Sequence, residues 1–180
     1  IKHLIYNELP RSRILIIDAE DEYSFLVKNL KGKIVNCGGS NNGQILNPLQ
    51  IRVNIDDEEN LNAIALHFQF LHTFFEILFP SLTDLEFSAL DLVLEELYEQ
   101  FGITKETDIS KFESTDFPIL SDLYEYLIKK NESQSKDEYI KLISLLRPIA
   151  VGQASTIWNG YTDLKIDSRI TAFNTKNMQE

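Results

Sequence analysis

An α/β fold carrying a largely α-helical inserted subdomain is what this sequence predicts, and three observations predict it. Residues 14–17 (Ile-Leu-Ile-Ile) form an unbroken apolar run ending at Asp18, the pattern of a strand buried on both faces of a parallel sheet. Between 56 and 147 nothing reads as a strand, and the apolar residues recur at helical spacing. Ile170-Thr-Ala-Phe173 then restores a β-favouring run, so a helical insertion between two strands of one sheet accounts for the order economically.

Taken in order, the chain opens at Ile1 inside a helical pattern set by Leu4, Ile5 and Leu9, which reads as a cut edge. After the first strand, residues 22–30 have helical spacing through Phe25, Leu26 and Leu30, and Gly32 precedes a second short run, Ile34-Val35. Residues 37–48 are rich in Gly, Ser, Asn and Pro and predict a loop. The acidic run Asp56 to Glu59 leads into a long apolar helix over 61–79, read as buried. Thr83 with Glu86 is a capping-box pattern opening a helix to about Gln100, with Leu90, Leu94 and Leu97 as its inward stripe and Gly102 as its stop. A further helix starts near Ser121, with Leu123, Tyr126 and Leu127 inward. Ser135 with Glu138 forms a second capping-box pattern, ahead of a helix ended by Pro148.

The composition, 43% hydrophobic and 25% charged, is that of a globular protein. Its formal charge of −11 is concentrated: 7 basic against 5 acidic residues in 1–55, 6 against 20 in 56–145, and 4 against 3 in 146–180. The middle segment repels phosphate backbones, so no direct nucleic-acid contact is expected from it, while the flanks stay open to such contact. A single cysteine, Cys37, rules out an intrachain disulfide. No transmembrane segment is expected, because His67, Gln69, His72 and Glu76 interrupt the most apolar stretch.

The strongest chemical signal is Asp18-Ala-Glu20-Asp21-Glu22-Tyr23, four carboxylates just past a strand end, where open α/β sheets bind ligands. Two roles fit these residues. They are acids or metal-water ligands, or Asp18 caps the following helix and the acidic turn complements its dipole. Gly38 to Gly43 imitates a phosphate loop, but Gln44-Ile45 stands where Lys and Ser/Thr are required. His67 and His72, five apart, do not make a zinc helix, and His72 with Glu76 is two ligands only. Asp56 to Glu59 lacks the glycine and alternation of a calcium loop. Surface pairing is the commoner fate of an Arg, and the pattern alone gives Arg147 and Arg169 no other. Trp158, Tyr161 and Phe173 are core or partner anchors.

In order, Ile14-Leu-Ile-Ile-Asp18-Ala-Glu-Asp-Glu22-Tyr23, Lys31-Gly32, Leu46-Asn47-Pro48, Leu97-Tyr98, Gly102-Ile103, Pro118 to Leu127, Leu146-Arg-Pro148, Gly152 and Trp158-Asn-Gly160-Tyr-Thr162 resemble the VirB/TraE-like conjugative-transfer (type IV secretion) ATPases. Ala19 stands where that family often has Pro. The resemblance implies part of a RecA-like P-loop NTPase core in 1–55, an all-helical insertion in 56–150 and a return to the RecA-like sheet in 151–180. It places the Walker A motif before Ile1 and the Walker B motif after Glu180. It further implies a motor using ATP and Mg²⁺ in the intact parent, with no cofactor expected in this chain alone, which would then be inactive. Glu22 would orient the attacking water, Asp18 would shape the Mg²⁺ site, and Arg147 and Arg169 would be candidate arginine fingers toward a neighbouring subunit's nucleotide. Partners would be other secretion components and, in a homo-oligomer, sister subunits, at the cytoplasmic face of a membrane. The alternative is an acidic helical interaction module that docks channel components or sister subunits.

Overall fold

The computed structural model describes residues 2–37, 44–52, 63–163 and 168–176. The glycine-rich stretch at 38–43, the acidic run at 56–59 and the start of the long apolar helix lie outside them. The described residues form a mostly helical chain with one small parallel sheet, organised as two compact units, residues 1–46 with 163–180 and residues 47–162. The sequence-based expectation divides the chain at 55/56 and 150/151. Residues 49 and 51 instead bury Leu and Ile among the helices, and Ala154 and Trp158 pack there too.

The first unit contains α1 (Lys2–Glu8), β1 (Ile14–Asp18), α2 (Ser24–Asn29), β2 (Lys33–Asn36) and β3 (Ile170–Asn174). The strands run parallel in the order β1-β3-β2, so the last strand in sequence lies between the first two. Register pairs Ile16 with Ala172 and Ala172 with Ile34, and it sets Asp18, Asn174 and Asn36 level. Ile5, Leu26 and Val27 pack with Ile170 and Ala172, with Ile14, Ile16 and Ile34 against them. Gly32 lets the chain enter β2 close to β3: a Cβ there would stand 2.5 Å from Ile170 Cγ2 and 2.8 Å from Val27 Cγ1.

Strand β1 is not buried on both faces. Leu15 and Ile17 are 63% and 80% exposed, while Ile14 and Ile16 are half-buried. Among the described residues, apolar side chains from the helices cover only the face that carries Ile14 and Ile16. Phe25, expected on the inward side of α2, is likewise 79% exposed; Leu26 and Val27 make the buried contact.

The second unit is built by α3 (Ala63–Leu78), α4 (Asp84–Gln100), α5 (Leu120–Gln134), α6 (Asp137–Ala150) and the single turn α7 (Ser155–Trp158). Its core interleaves stripes at helical spacing: Leu71 and Phe75 of α3, Leu90, Leu94 and Leu97 of α4, Leu120, Leu123 and Leu127 of α5, and Leu142 and Leu146 of α6. Each fully buried Leu or Phe contributes roughly 1.5–3 kcal/mol of transfer free energy. The capping box at Thr83 is present in both directions, Thr83 N donating to Glu86 Oε2 at 2.7 Å and Glu86 N to Thr83 Oγ1 at 3.4 Å.

Three details differ from expectation. Ser135 does not cap α6; it closes α5 in a left-handed conformation, φ 48°, and Lys136 takes the N-cap place without a side-chain bond. Pro148 lies inside α6, whose last turn survives because the amides of Val151 and Gly152 both reach Arg147 O. Helix α3 is buried on one side only: Leu66, Phe70 and Ile77 face outward.

One buried polar chain crosses this core. His67 Nε2 lies 2.9 Å from the Tyr98 hydroxyl, which donates to Leu49 O. Since the tyrosine proton is directed at that carbonyl, the phenol oxygen accepts from the Nε2–H of a neutral imidazole. Burial lowers the His67 pKa to about 4 and pushes Tyr98 up. The unfolded chain therefore takes up a proton below its ordinary value near 6.5 while the folded chain refuses it until about 4. Stability should fall on the order of 3 kcal/mol between pH 7 and 4 from this group alone. Urea unfolding across that range checks it, and His67→Gln should flatten that part of the slope.

Candidate functional site

The site-forming feature of the first unit is the level at which its three strands stop being apolar. Ile-Leu-Ile-Ile ends in Asp18, Ile-Val in Asn36 and Ala-Phe in Asn174, and the register sets these three polar residues side by side. Parallel strands that end together present their C-terminal edge as a ligand-binding rim. Neither Asn36 nor Asn174 stands out in the sequence taken locally. The signal that finds both is the shared switch from apolar to polar at each run's last residue.

Asp18 is 2% exposed. Burying a carboxylate is costly unless hydrogen bonds replace its water, and here they do: Oδ1 accepts from Glu22 N at 3.0 Å and Oδ2 from Tyr23 N at 2.9 Å. The loop between them turns through Asp21 at φ 61°, and the Ser24 hydroxyl donates to the Asp21 carboxylate. Thr175 N donates to Asp18 O at 2.9 Å, so the exit of β3 is tied to the same residue. Asp18 thus organises the turn into α2 with both of its oxygens. Glu22 is exposed, and its carboxylate makes no hydrogen bond or ion pair among the described residues. The structure places the two candidate residues in one loop with different duties: Asp18 holds the Glu22 backbone, and Glu22 presents an open acceptor.

The remaining candidates are dispersed. Arg169 Nη1 donates to Pro10 O at 2.7 Å, and Arg147 is exposed on the last turn of α6. His72 Nδ1 lies 3.4 Å from Asp91 Oδ2 and its ring 5.0 Å from that of Phe87, whereas His67 belongs to the Tyr98 chain. Among the described residues no three His, Cys, Asp or Glu side chains are grouped to hold a metal ion. Cys37 is half-buried, and burial raises its pKa. No helix among the described residues is long and apolar enough to cross a membrane.

In the second unit the Asn47-Pro48, Pro118 to Leu127 and Trp158 to Thr162 motifs meet. Asn47, 2% exposed, accepts from Leu49 N at 3.0 Å and donates through Nδ2 to Pro118 O at 2.8 Å, and its own amide donates to Thr162 Oγ1 at 3.0 Å. Asn159 Oδ1 accepts from Ser121 N at 2.8 Å, capping α5 from a distance of 38 residues. Trp158 packs edge-on against Phe74 with ring centres 5.5 Å apart.

A helical unit inserted in sequence between two strands of a small parallel α/β sheet, with an acidic loop at the strand ends, defines the class of protein. No family model matches the chain, and no curated protein does. Among solved structures, that of VirB4 of Thermoanaerobacter pseudethanolicus is similar over 99% of the chain at 36% identity, with a TM-score of 0.86. The chain belongs to the VirB4/TraE-like family of type IV secretion ATPases, and it spans 46% of the length of that relative.

Asp18→Ala removes both acceptors of the turn and should lower stability by about 2 kcal/mol. Glu22→Ala should change it by less than about 0.5 kcal/mol. Urea unfolding of the two variants against the parent chain separates the two duties.

Proposed function

We propose that this chain forms one wall of the nucleotide site of a RecA-like motor that hydrolyses ATP to drive conjugative DNA transfer or type IV secretion. The observation that carries the reading is the open carboxylate of Glu22, held by Asp18 at the C-terminal edge of a parallel sheet, in a chain of this family. Phosphoryl transfer to water depends on positioning the nucleophile and stabilising spread charge. An acceptor fixed through its backbone and free at its side chain suits the first task. Asp18 acts through Glu22: its two oxygens accept backbone amides and the residue is 2% exposed, so it positions the acid.

The chain's own residues fit only part of Mg²⁺-ATP. Its 180 residues contain no Gly-x-x-x-x-Gly-Lys-Ser/Thr sequence, so the lysine and hydroxyl that cradle phosphates and metal in P-loop enzymes are not among them. ATP turnover then belongs to the longer protein at the cytoplasmic face of the membrane, working with other secretion components and sister subunits. The chain by itself is inactive.

A second reading concerns the helical unit, which sets 20 acidic against 8 basic residues, a net −12, while the sheet unit carries +1. That imbalance favours a docking module for a basic partner in the secretion channel or a sister subunit.

In the full-length protein, Glu22→Gln should reduce ATP turnover at least about tenfold with little change in nucleotide affinity, by analogy with other water-positioning groups. A steady-state phosphate-release assay beside nucleotide titration makes the test, and unaltered turnover would sink the assignment. The 180-residue chain should show no ATP binding at micromolar nucleotide.

A further inference from the structure

Between α4 and α5, within the helical unit, lies a cavity of about 490 Å³ that the nucleotide chemistry does not use. The most buried polar residue of its lining is Lys130, 9% exposed, which donates to Glu96 Oε2 and lies 5.9 and 5.8 Å from the ring centres of Tyr126 and Tyr139. The Tyr126 hydroxyl donates to the same Glu96 oxygen at 2.8 Å. Burial and the neighbouring carboxylate push Tyr126 up to about 12; burial alone would raise Glu96, but the bonds from Lys130 and Tyr126 hold it below the usual range. The lysine's charge is therefore already matched. Glu96 Oε1, by contrast, has no hydrogen-bond partner among the described residues.

Around this matched pair the lining is unevenly charged. Asp122 and Glu125 contribute two further carboxylates against the ammonium of Lys129, and Phe101 and Tyr126 contribute aromatic surface. Asp122 already accepts from Ile119 N at 2.8 Å, whereas Glu125 makes no hydrogen bond or ion pair among the described residues. The C-terminal end of α4 reaches the same cavity through Leu97 and Gln100, with Glu95, Glu96 and Glu99 in its last two turns and no basic residue in the last turn. A helix C-terminus carries partial negative charge, so glutamates there oppose folding and create a field that a cation relieves. A polar cavity, an open carboxylate oxygen, aromatic walls and an uncompensated helix end coincide at one place.

We propose that the α4–α5 cavity is the anchor point for a basic segment of a partner protein, receiving an arginine side chain between Glu96 Oε1 and Glu125 and against Phe101 and Tyr126. Arginine fits better than lysine because its planar guanidinium bonds two carboxylates at once and stacks on aromatic rings. The net −12 of the unit supplies long-range attraction for such a segment and repels an acidic one. The proposal rests on the docking reading of the helical unit and is independent of ATP turnover.

The test is fluorescence anisotropy of the 180-residue chain with three labelled ten-residue peptides in which alanine alternates with arginine, lysine or glutamate, at 50 and 150 mM salt. The arginine peptide should bind at least threefold more tightly than the lysine one, and the glutamate peptide not at all. Glu125→Lys should weaken the arginine peptide at least tenfold. Glu76→Lys, an equal charge change on the exposed side of α3 outside the cavity, should weaken it less than threefold. Equal weakening by the two variants would overturn the cavity and leave the docking reading standing as diffuse attraction. Failure of every basic peptide to bind would overturn both, and tight binding of the glutamate peptide would reassign the cavity to anions at Lys129 and Lys130.

Discussion

Asn47 is the residue on which the helical unit closes. The chain passes from one compact unit to the other at 46/47 and returns at 162/163, and at this position a buried side-chain amide and backbone amide hold three segments at once. Nδ2 donates to Pro118 O before α5, Oδ1 accepts from Leu49 N so that Leu49 enters the core, and the backbone amide donates to Thr162 Oγ1. A buried polar group left without such partners costs about 1–3 kcal/mol, and no apolar residue supplies both a donor and an acceptor in this geometry. Next to it, on the sheet side of the division, Ile45 N donates to Asp163 Oδ1 at 2.9 Å, so each unit ties its own pair of crossing segments. A helical bundle inserted in a sheet has its entry and exit brought together, and here the sequence assigns Asn47 and Thr162 to that task.

Much of this was legible in the sequence. The Ile-Leu-Ile-Ile run, the strandless middle, the capping box at Thr83 and the return at Ile170 each rest on local chemistry, and the structure places elements there. What local pattern could not carry is context. Leu15 and Ile17 look like the second buried face of β1 because an apolar run does not say what covers it. Ser135 and Pro148 read as a start and a stop, yet one adopts a left-handed turn that ends the preceding helix and the other is tolerated because later amides find Arg147 O.

The site divides in the same way. Asp18 and Glu22 stand out because carboxylates follow a strand, but their separate duties depend on which atoms meet: both Asp18 oxygens accept backbone amides, a pairing the fold makes. Asn36 and Asn174 join the rim through a register between residues far apart in sequence. The charge asymmetry was visible by counting, whereas the cavity beside the glutamate-rich end of α4 arises from packing against α5. In the first unit the buried Asp18 fixes the backbone of Glu22, whose exposed carboxylate has no partner among the described residues.

If Asn47 closes the helical unit independently of the sheet, hydrogen exchange on Asn47→Ala will show it. Amide protection should fall at Leu49, at the first turn of α5 and through the helical core, while the β1–β3 and β2–β3 ladder amides exchange as in the parent chain. Protection lost equally from the strands, or unchanged at Leu49 and α5, would contradict it.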